Sequence, residues 1–310
     1  MALLVSPIYG KPDDWRRLFA AEMPELELRF WPEAGNAAEI EAAAVGAAMP
    51  RGTLKTFPNL RLIVSLVAGA EALLADPELP DVPIVRGGSS RDGDPMMNEA
   101  TLLHVLRHHR HLPAFALAQQ RCEWISLPRL RAQERKVGVL GLGSIGLGAA
   151  KELARHGFQV AGWVNSPREV AGIEVFAGRE RLPAFLQRSE IVVNFLPLTR
   201  ETIGILNAEA FARMPQGASV INLGRGAHVN EADLLAALDS GHLAAATLDV
   251  FPVEPLPKDS PLWRHPKITV IPHASRRIDP RDLVPRIAQA VRRLRAGAPQ
   301  ESLIDRRRGY

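Results

Sequence analysis

The sequence predicts an α/β protein of two doubly wound parallel-sheet domains, on three observations. Its 310 residues, 46% hydrophobic and 23% charged, are enough for two compact domains of ordinary size. Short apolar runs alternate with helix-like stretches along the whole chain, the pattern of parallel sheets covered by helices. A glycine-rich turn follows one apolar run in the middle of the chain, so a folded unit precedes it.

In the first third, residues 3–8, 26–31, 62–67 and 82–85 read as strands, and residues 13–21 and 36–44 as helices. From Asp94 a longer helix carries Met97, Ala100, Thr101, His104 and His108 at helical spacing and ends near Pro113. The second part has six strand candidates, at 137–140, 159–163, 191–196, 219–223, 245–249 and 268–271, the number in a full dinucleotide-binding sheet. Helices are expected at 149–156, 182–187, 208–214 and 231–238, with an Arg-rich helix from Pro280 to about Arg295 and a short tail. The expected division is residues 1–98 plus 276–310 for a flavodoxin-like domain and 99–275 for a dinucleotide-binding (Rossmann) domain.

Several classes are disfavoured. No apolar run reaches the ~18 residues of a membrane span. The opening MALLVSPIY has no basic segment or small-residue cleavage site and reads as a first strand rather than a signal peptide. Cys122 is the only cysteine, which rules out an internal disulfide and suits a reducing cytoplasm; it is expected to be partly buried and inert. The net charge of +4 gathers late, at Arg276, Arg277, Arg292, Arg293, Arg295 and 306–308, without interleaved aromatics. That reads as solvated helix faces and a basic tail rather than a nucleic-acid site.

The central turn is G-x-G-x-x-G at Gly141, Gly143 and Gly146, after the run 137–140 and before a helix. In that setting one glycine makes the tight turn, one admits a pyrophosphate, and one packs helix against strand. The helix N-terminus then favours the anion. About 20 residues on, where an acidic residue would select NAD, stand Asn165 and Ser166, with Arg168 close by. A neutral pair beside an arginine accepts a 2′-phosphate, so NADP(H) is favoured and NAD(H) use left open.

Three further segments end or follow strands: NLGRGAHVN at 222–230, LDVFPVEPLP at 248–257 and IPHAS at 271–275. They supply Arg225, Glu254 and His273, a set suited to reducing a 2-oxo acid. Arginine clamps a carboxylate in a two-pronged fork and polarises the adjacent carbonyl. Histidine is readily poised to hand over a proton near neutral pH, and a carboxylate beside it fixes the ring. Taken singly, each is as well explained by a turn arginine, a solvent-facing glutamate or a structural histidine.

Together VGVLGLGSIG, FLPLTRET, INLGRGAHVNEADLLAAL, LDVFPVEPLPKDSPLW and ITVIPHAS resemble the D-isomer-specific 2-hydroxyacid dehydrogenase family over most of the chain. Within it AGRERLP, DSPLWRHP and the ending DRRRGY are similar to the glyoxylate/hydroxypyruvate reductase A branch. The resemblance implies that Arg225, Glu254 and His273 are catalytic. It implies cofactor contacts from Gly141, Gly143, Ser144, Ile145, Gly146, Asn165, Ser166, Arg168, Leu196, Pro197, Thr202, Leu223, Gly224 and Asp249, the last towards the nicotinamide amide. It also implies that the backbone of Ala68 and Gly69 helps Arg225 hold the substrate, a small 2-oxo acid, and that the protein is a homodimer.

His104, His108, His109 and His111 invite a metal reading, but no carboxylate completes a site and the chemistry needs none; a helix crossing a domain or dimer surface is preferred. Rival readings are NAD-dependent oxidation of another D-2-hydroxy acid and a nucleotide-sensing module, the latter having no use for a proton donor. Arg276 and Arg277 are candidates to draw in a more anionic substrate.

Overall fold

The computed structural model describes residues 2–6, 10–46, 49–67, 69–87, 93–277 and 279–307. The chain forms two compact units, residues 1–89 with 277–310 and residues 90–276.

In the first unit β1 (Ala2–Ser6), β2 (Glu27–Phe30), β3 (Ile40–Val45), β4 (Leu62–Ser65) and β5 (Ile84–Arg86) form a parallel sheet in the order β2-β1-β3-β4-β5. Its strands are apolar runs because both faces are covered. On one face Leu3, Val5, Ala42, Ala44, Leu62 and Val64 meet Trp15 and Phe19 of α1 (Pro12–Glu22) and Leu283, Ile287 and Val291 of the last helix (Pro280–Arg295). On the other, Leu4, Ala43 and Ile63 pack with Leu54, Phe57 and Leu60. A short helix, α2 (Glu71–Leu74), precedes β5.

Residues 36–44, expected as a helix, instead form one 3-10 turn (Ala37–Glu39) and strand β3. Alanine and glutamate favour a helix by only a few tenths of a kcal/mol each. The strand between β1 and β4 is closed in on both faces, and Ala42, Ala43 and Ala44 are completely buried there. Packing outweighs propensity. The late arginines are tied down: Arg292 pairs with Glu22, Arg295 with Glu25 and Arg293 with Glu301.

The second unit opens with α3 (Pro95–His109) and α4 (Leu112–Gln120). Asp94 caps α3 by accepting the Met97 N–H at 3.1 Å. Met97 and Val105 share a core with Val137, Leu153 and Val193, so α3 lies wholly in this unit, and a division at residue 98 would cut it. The helix stops before Pro113, at a left-handed His111 (φ 57°), and α4 follows. Cys122, expected to be partly buried, is exposed in the turn after α4, where its N–H bonds the Gln119 carbonyl.

The sheet of this unit contains β6 (Lys136–Leu140), β7 (Gln159–Val164), β8 (Glu174–Ala177), β9 (Ile191–Asn194), β10 (Ala218–Asn222), β11 (Leu243–Leu248) and β12 (Ile268–Val270), all parallel, in the order β12-β11-β10-β9-β6-β7-β8. Six strands fall where expected; β8, four residues at the edge, is additional. Helices α5 (Ser144–Arg155), α6 (Leu182–Arg188), α7 (Ala208–Arg213) and α8 (Glu231–Asp239) connect them. The strand order reverses at β6, with β7 on one side and β9 on the other. Ligands of such sheets bind beyond the carboxyl ends of strands at that switch. No helix of the described residues is long and apolar enough to cross a membrane.

Candidate active site

The turn after β6 has the geometry its glycines require. Gly141 has φ +88°, and a Cβ there would press on Leu196 and Phe195. A Cβ on Gly146 would lie 1.9 Å from the Gly141 carbonyl oxygen, so α5 crosses the turn at a distance only glycine permits. Around Gly143, which caps α5, a Cβ would meet nothing within 4 Å. One glycine is there for conformation, one for packing, and one beside open space at a helix N-terminus. That cradle fits a pyrophosphate. Ser144 and Ile145 start the helix and are partly buried.

Asn165 and Ser166 follow β7 and are exposed. The Arg168 guanidinium donates to the Leu142 carbonyl at 2.6 Å, which brings a fixed positive charge to the glycine turn. After β9, Leu196 is buried beneath Gly141, and the Thr202 hydroxyl donates to the Pro197 carbonyl at 2.7 Å and accepts the Thr199 N–H at 2.8 Å. Thr202 therefore shapes the 197–202 turn through its hydroxyl.

After β10 the chain passes Leu223 and Gly224 to Arg225, which is half-buried. The Leu223 N–H bonds the Asn194 carbonyl at 3.1 Å, and Arg225 Nη1 donates to the Gly224 carbonyl at 2.8 Å. A Cβ on Gly226 would lie 1.9 Å from the Phe251 carbonyl carbon, so the arginine segment sits directly against the loop after β11. That loop carries Glu254. Its Oε1 accepts the Phe251 N–H at 2.9 Å and its Oε2 lies 2.7 Å from His273 Nδ1. The backbone orients the carboxylate, the carboxylate orients the ring, and Nε2 is the nitrogen left to face a substrate.

His273 has a left-handed backbone, φ 50°. Asp249, 3% exposed, holds it there: its carbonyl accepts the His273 N–H at 2.9 Å, and its Oδ1 accepts the N–H groups of Ala274 and Ser275 at 2.8 and 3.1 Å. Burial pushes the Asp249 carboxyl above its ordinary value, and those N–H donors and the His273 charge oppose the shift. Asp249, expected to face a nicotinamide amide, has a structural role that the sequence did not suggest: it clamps the histidine loop.

The other expected groups are placed as follows. Ala68 lies outside the described residues; Gly69 lies between β4 and α2 in the first unit. Arg276 is committed to Asp94, with Nε 2.5 Å from Oδ2 and both side chains largely buried, and Arg277 is exposed. Arg276 thus supports the cap of α3. His104 and His108 are buried in α3, with His108 Nε2 2.9 Å from Thr247 Oγ1. Burial, with Arg107 nearby, pushes His104 down and His108 to about 3. His109 meets Phe158 edge-on, and His111 Nε2 lies 3.0 Å from the Pro128 carbonyl. Among the described residues no three His, Cys, Asp or Glu side chains cluster to hold a metal.

Sequence reading missed Asn194, Asn222 and His228, three fully buried polar residues between the loops after β9 and β10. A signal was available: two neighbouring apolar runs, IVVN and SVIN, each end in asparagine.

Comparison with known proteins agrees with this geometry. The model of the D-isomer specific 2-hydroxyacid dehydrogenase NAD binding domain matches residues 102–275. Glyoxylate/hydroxypyruvate reductase A of Salmonella newport (strain SL254) is 36% identical over 302 residues, 96% of each chain. A D-isomer specific 2-hydroxyacid dehydrogenase from Xanthobacter autotrophicus Py2, solved with NADPH and MES, superposes with a TM-score of 0.95 at 45% identity, covering 100% of this chain and 99% of that one. An NADPH-dependent glyoxylate/hydroxypyruvate reductase from Sinorhizobium meliloti, solved with NADP and sulfate, gives 0.90 at 33% identity over 100% of both chains. With the glycine cradle, the buried arginine segment and the His273–Glu254 pair all in place, the chain belongs to the D-isomer-specific 2-hydroxyacid dehydrogenase family.

Proposed function

We propose that this protein is an NADP(H)-preferring reductase of short 2-oxo acids, with glyoxylate and hydroxypyruvate as substrates. The observation that carries this reading is His273, held left-handed by Asp249 and bonded through Nδ1 to Glu254 at 2.7 Å, at the carboxyl end of the sheet. A ring anchored in this way through Nδ1 suits the role of proton donor through Nε2. The relatives bearing the same activity, and those solved with NADPH or NADP, support it.

The glycine turn at Gly141, Gly143 and Gly146 would hold NADPH, which would supply the hydride for reduction of the oxo acid. The Arg225 guanidinium holds the substrate carboxylate and draws electron density from the neighbouring carbonyl. His273 Nε2 hands its proton to the alkoxide oxygen as it forms, and Glu254 fixes the orientation of the ring through Nδ1. Arg168, with the neutral Asn165 and Ser166, favours the 2′-phosphate. NADPH oxidation with a panel of 2-oxo acids, repeated with NADH, tests the reading. Turnover with NADPH and glyoxylate or hydroxypyruvate is expected; activity confined to NADH and larger acids would replace it.

The enzyme works as a homodimer in the cytoplasm. Met96, Leu103 and Leu106 of α3, Leu112 and Phe115 of α4, and Trp124 are exposed large apolar side chains near one another in sequence, and a second copy of this chain covers them. The free thiol of Cys122 suits a reducing compartment. Sedimentation equilibrium showing a monomer would remove the dimer.

A further inference from the structure

Asn194, Asn222 and His228 form a hydrogen-bonded group with no exposure to solvent. Strands β9 and β10 pair in register with Asn194 opposite Asn222, so both asparagines stop their strands at one level. Asn194 Nδ2 donates to Asn222 Oδ1 at 2.9 Å and to His228 Nδ1 at 2.8 Å, and its Oδ1 accepts the Leu196 N–H at 3.1 Å. Asn222 accepts the Gly224 N–H at 3.2 Å and donates from Nδ2 to the Arg225 carbonyl at 2.9 Å.

His228 completes the group. Its Nδ1 also accepts the backbone N–H of Arg225 at 3.1 Å, so that nitrogen carries no proton. The ring proton then sits on Nε2, which donates to the Pro197 carbonyl at 3.2 Å. Farther along, the same two segments are joined by backbone bonds: Gly204 N–H to the Ala227 carbonyl at 2.8 Å, Leu206 N–H to the His228 carbonyl at 2.9 Å, and Asn230 N–H to the Leu206 carbonyl at 2.9 Å. The imidazole adds a side-chain link between these segments at the Pro197 carbonyl.

Resting on the reductase reading above, we infer that His228 is a positioning residue that sets two binding elements through its two nitrogens. Nδ1 fixes the backbone of Arg225 and so the clamp on the substrate carboxylate. Nε2–H fixes the carbonyl of Pro197 and so the cofactor-lining 197–202 turn. Buried polar groups of this kind are costly unless bonded, so the ring is confined to one tautomer and one orientation. The two functions divide between two atoms of one side chain.

That division can be tested atom by atom. His228→Asn keeps an acceptor near the position of Nδ1 and loses the donor to Pro197. His228→Gln places an amide near Nε2 and loses the acceptor facing Arg225. Steady-state kinetics should show His228→Asn raising KM for NADPH about tenfold with KM for the oxo acid changed less than about twofold, and His228→Gln the reverse, the scale of one lost hydrogen bond. Hydrogen exchange by mass spectrometry on the ligand-free variants should loosen residues 198–205 in the first and 224–229 in the second. In the wild-type protein, ¹⁵N spectra at neutral pH should show the Nε2–H tautomer of His228, a readout that needs no variant to fold. Parallel changes in both KM values, equal loosening of both segments in both variants, or an Nδ1–H tautomer would each overturn the inference. Absence of any NADPH-dependent turnover in the wild type would overturn the reductase reading alone, because the exchange and nitrogen readouts would still decide the role of the ring.

Discussion

His273 and His228 show one imidazole in opposite settings. His273 is exposed, bonded through Nδ1 to Glu254 at 2.7 Å, and sits on a left-handed backbone. His228 is fully buried, with Nδ1 engaged by the Arg225 N–H of its own loop and Nε2 by the Pro197 carbonyl of the neighbouring loop. A ring that moves protons needs one nitrogen anchored and the other facing the substrate; a ring that holds loops apart at a set distance needs both occupied. Burial and the number of partners decide the role, and the residue type does not.

The largest effect follows from emptying the exposed setting. His273→Ala should lower kcat by roughly 10²–10⁴-fold, the usual contribution of a positioned acid, while the melting curve moves little because the side chain is exposed. Survival of near wild-type kcat in stopped-flow assays would end the proton-donor assignment. Next in size, Arg225→Lys keeps the charge and loses the fork, and should cost on the order of 100-fold in kcat/KM, mostly through KM for the oxo acid. An unchanged KM would mean that the carboxylate is held elsewhere.

Asp249 separates backbone support from charge. Asp249→Ala removes the acceptor for the Ala274 and Ser275 N–H groups and should lower kcat about 10–30-fold; Asp249→Asn keeps an oxygen there and should cost less. The reverse order in kcat would show that the carboxylate charge matters more than the clamp. Arg168→Ala should raise KM for NADPH about tenfold and leave KM for NADH alone, as expected for one charge-assisted contact to a phosphate. Equal changes with both cofactors would return Arg168 to the protein surface.

A third histidine sharpens the contrast at the smallest scale. His108 is buried, uses Nε2 on Thr247, and has an Nδ1 with no partner among the described residues. Burial, with Arg107 and His104 adding like charge, lowers it from 6.5 to about 3. Below about 6.5 the unfolded chain binds a proton that the folded chain refuses. Its stability is therefore complete above that pH and is lost as the pH falls towards 3, by at most about 1.4 kcal/mol per pH unit. Urea titrations from pH 7 to 4.5 should show the slope, and His108→Gln should flatten it.

What the sequence disclosed and what it hid divide along physical lines. The glycine turn, the strand ends and the Arg225, Glu254 and His273 segments were legible because a backbone constraint or a strand terminus marks each locally. Residues 36–44 misled because alanine and glutamate favour helices, and only the packing of β1 and β4 on either side makes that stretch a strand. β8 was missed because four residues at a sheet edge leave a faint pattern. The Asn194, Asn222 and His228 group depends on strand register and on a contact across 31 residues between His228 and Pro197, information that exists only after folding. The ion pair of Arg276 with Asp94 spans 182 residues and was equally out of reach.

The left-handed turn at residue 273 also limits what selection can try there. Of the side chains able to relay a proton, branched or bulky ones are strained in that conformation, while histidine and aspartate tolerate it. An aspartic acid would fit the turn but, with an ordinary value near 3.9, would already have given up its proton in a neutral cell. On the proton-donor reading proposed above, substitutions that keep the enzyme working are therefore expected around the ring rather than at position 273 itself.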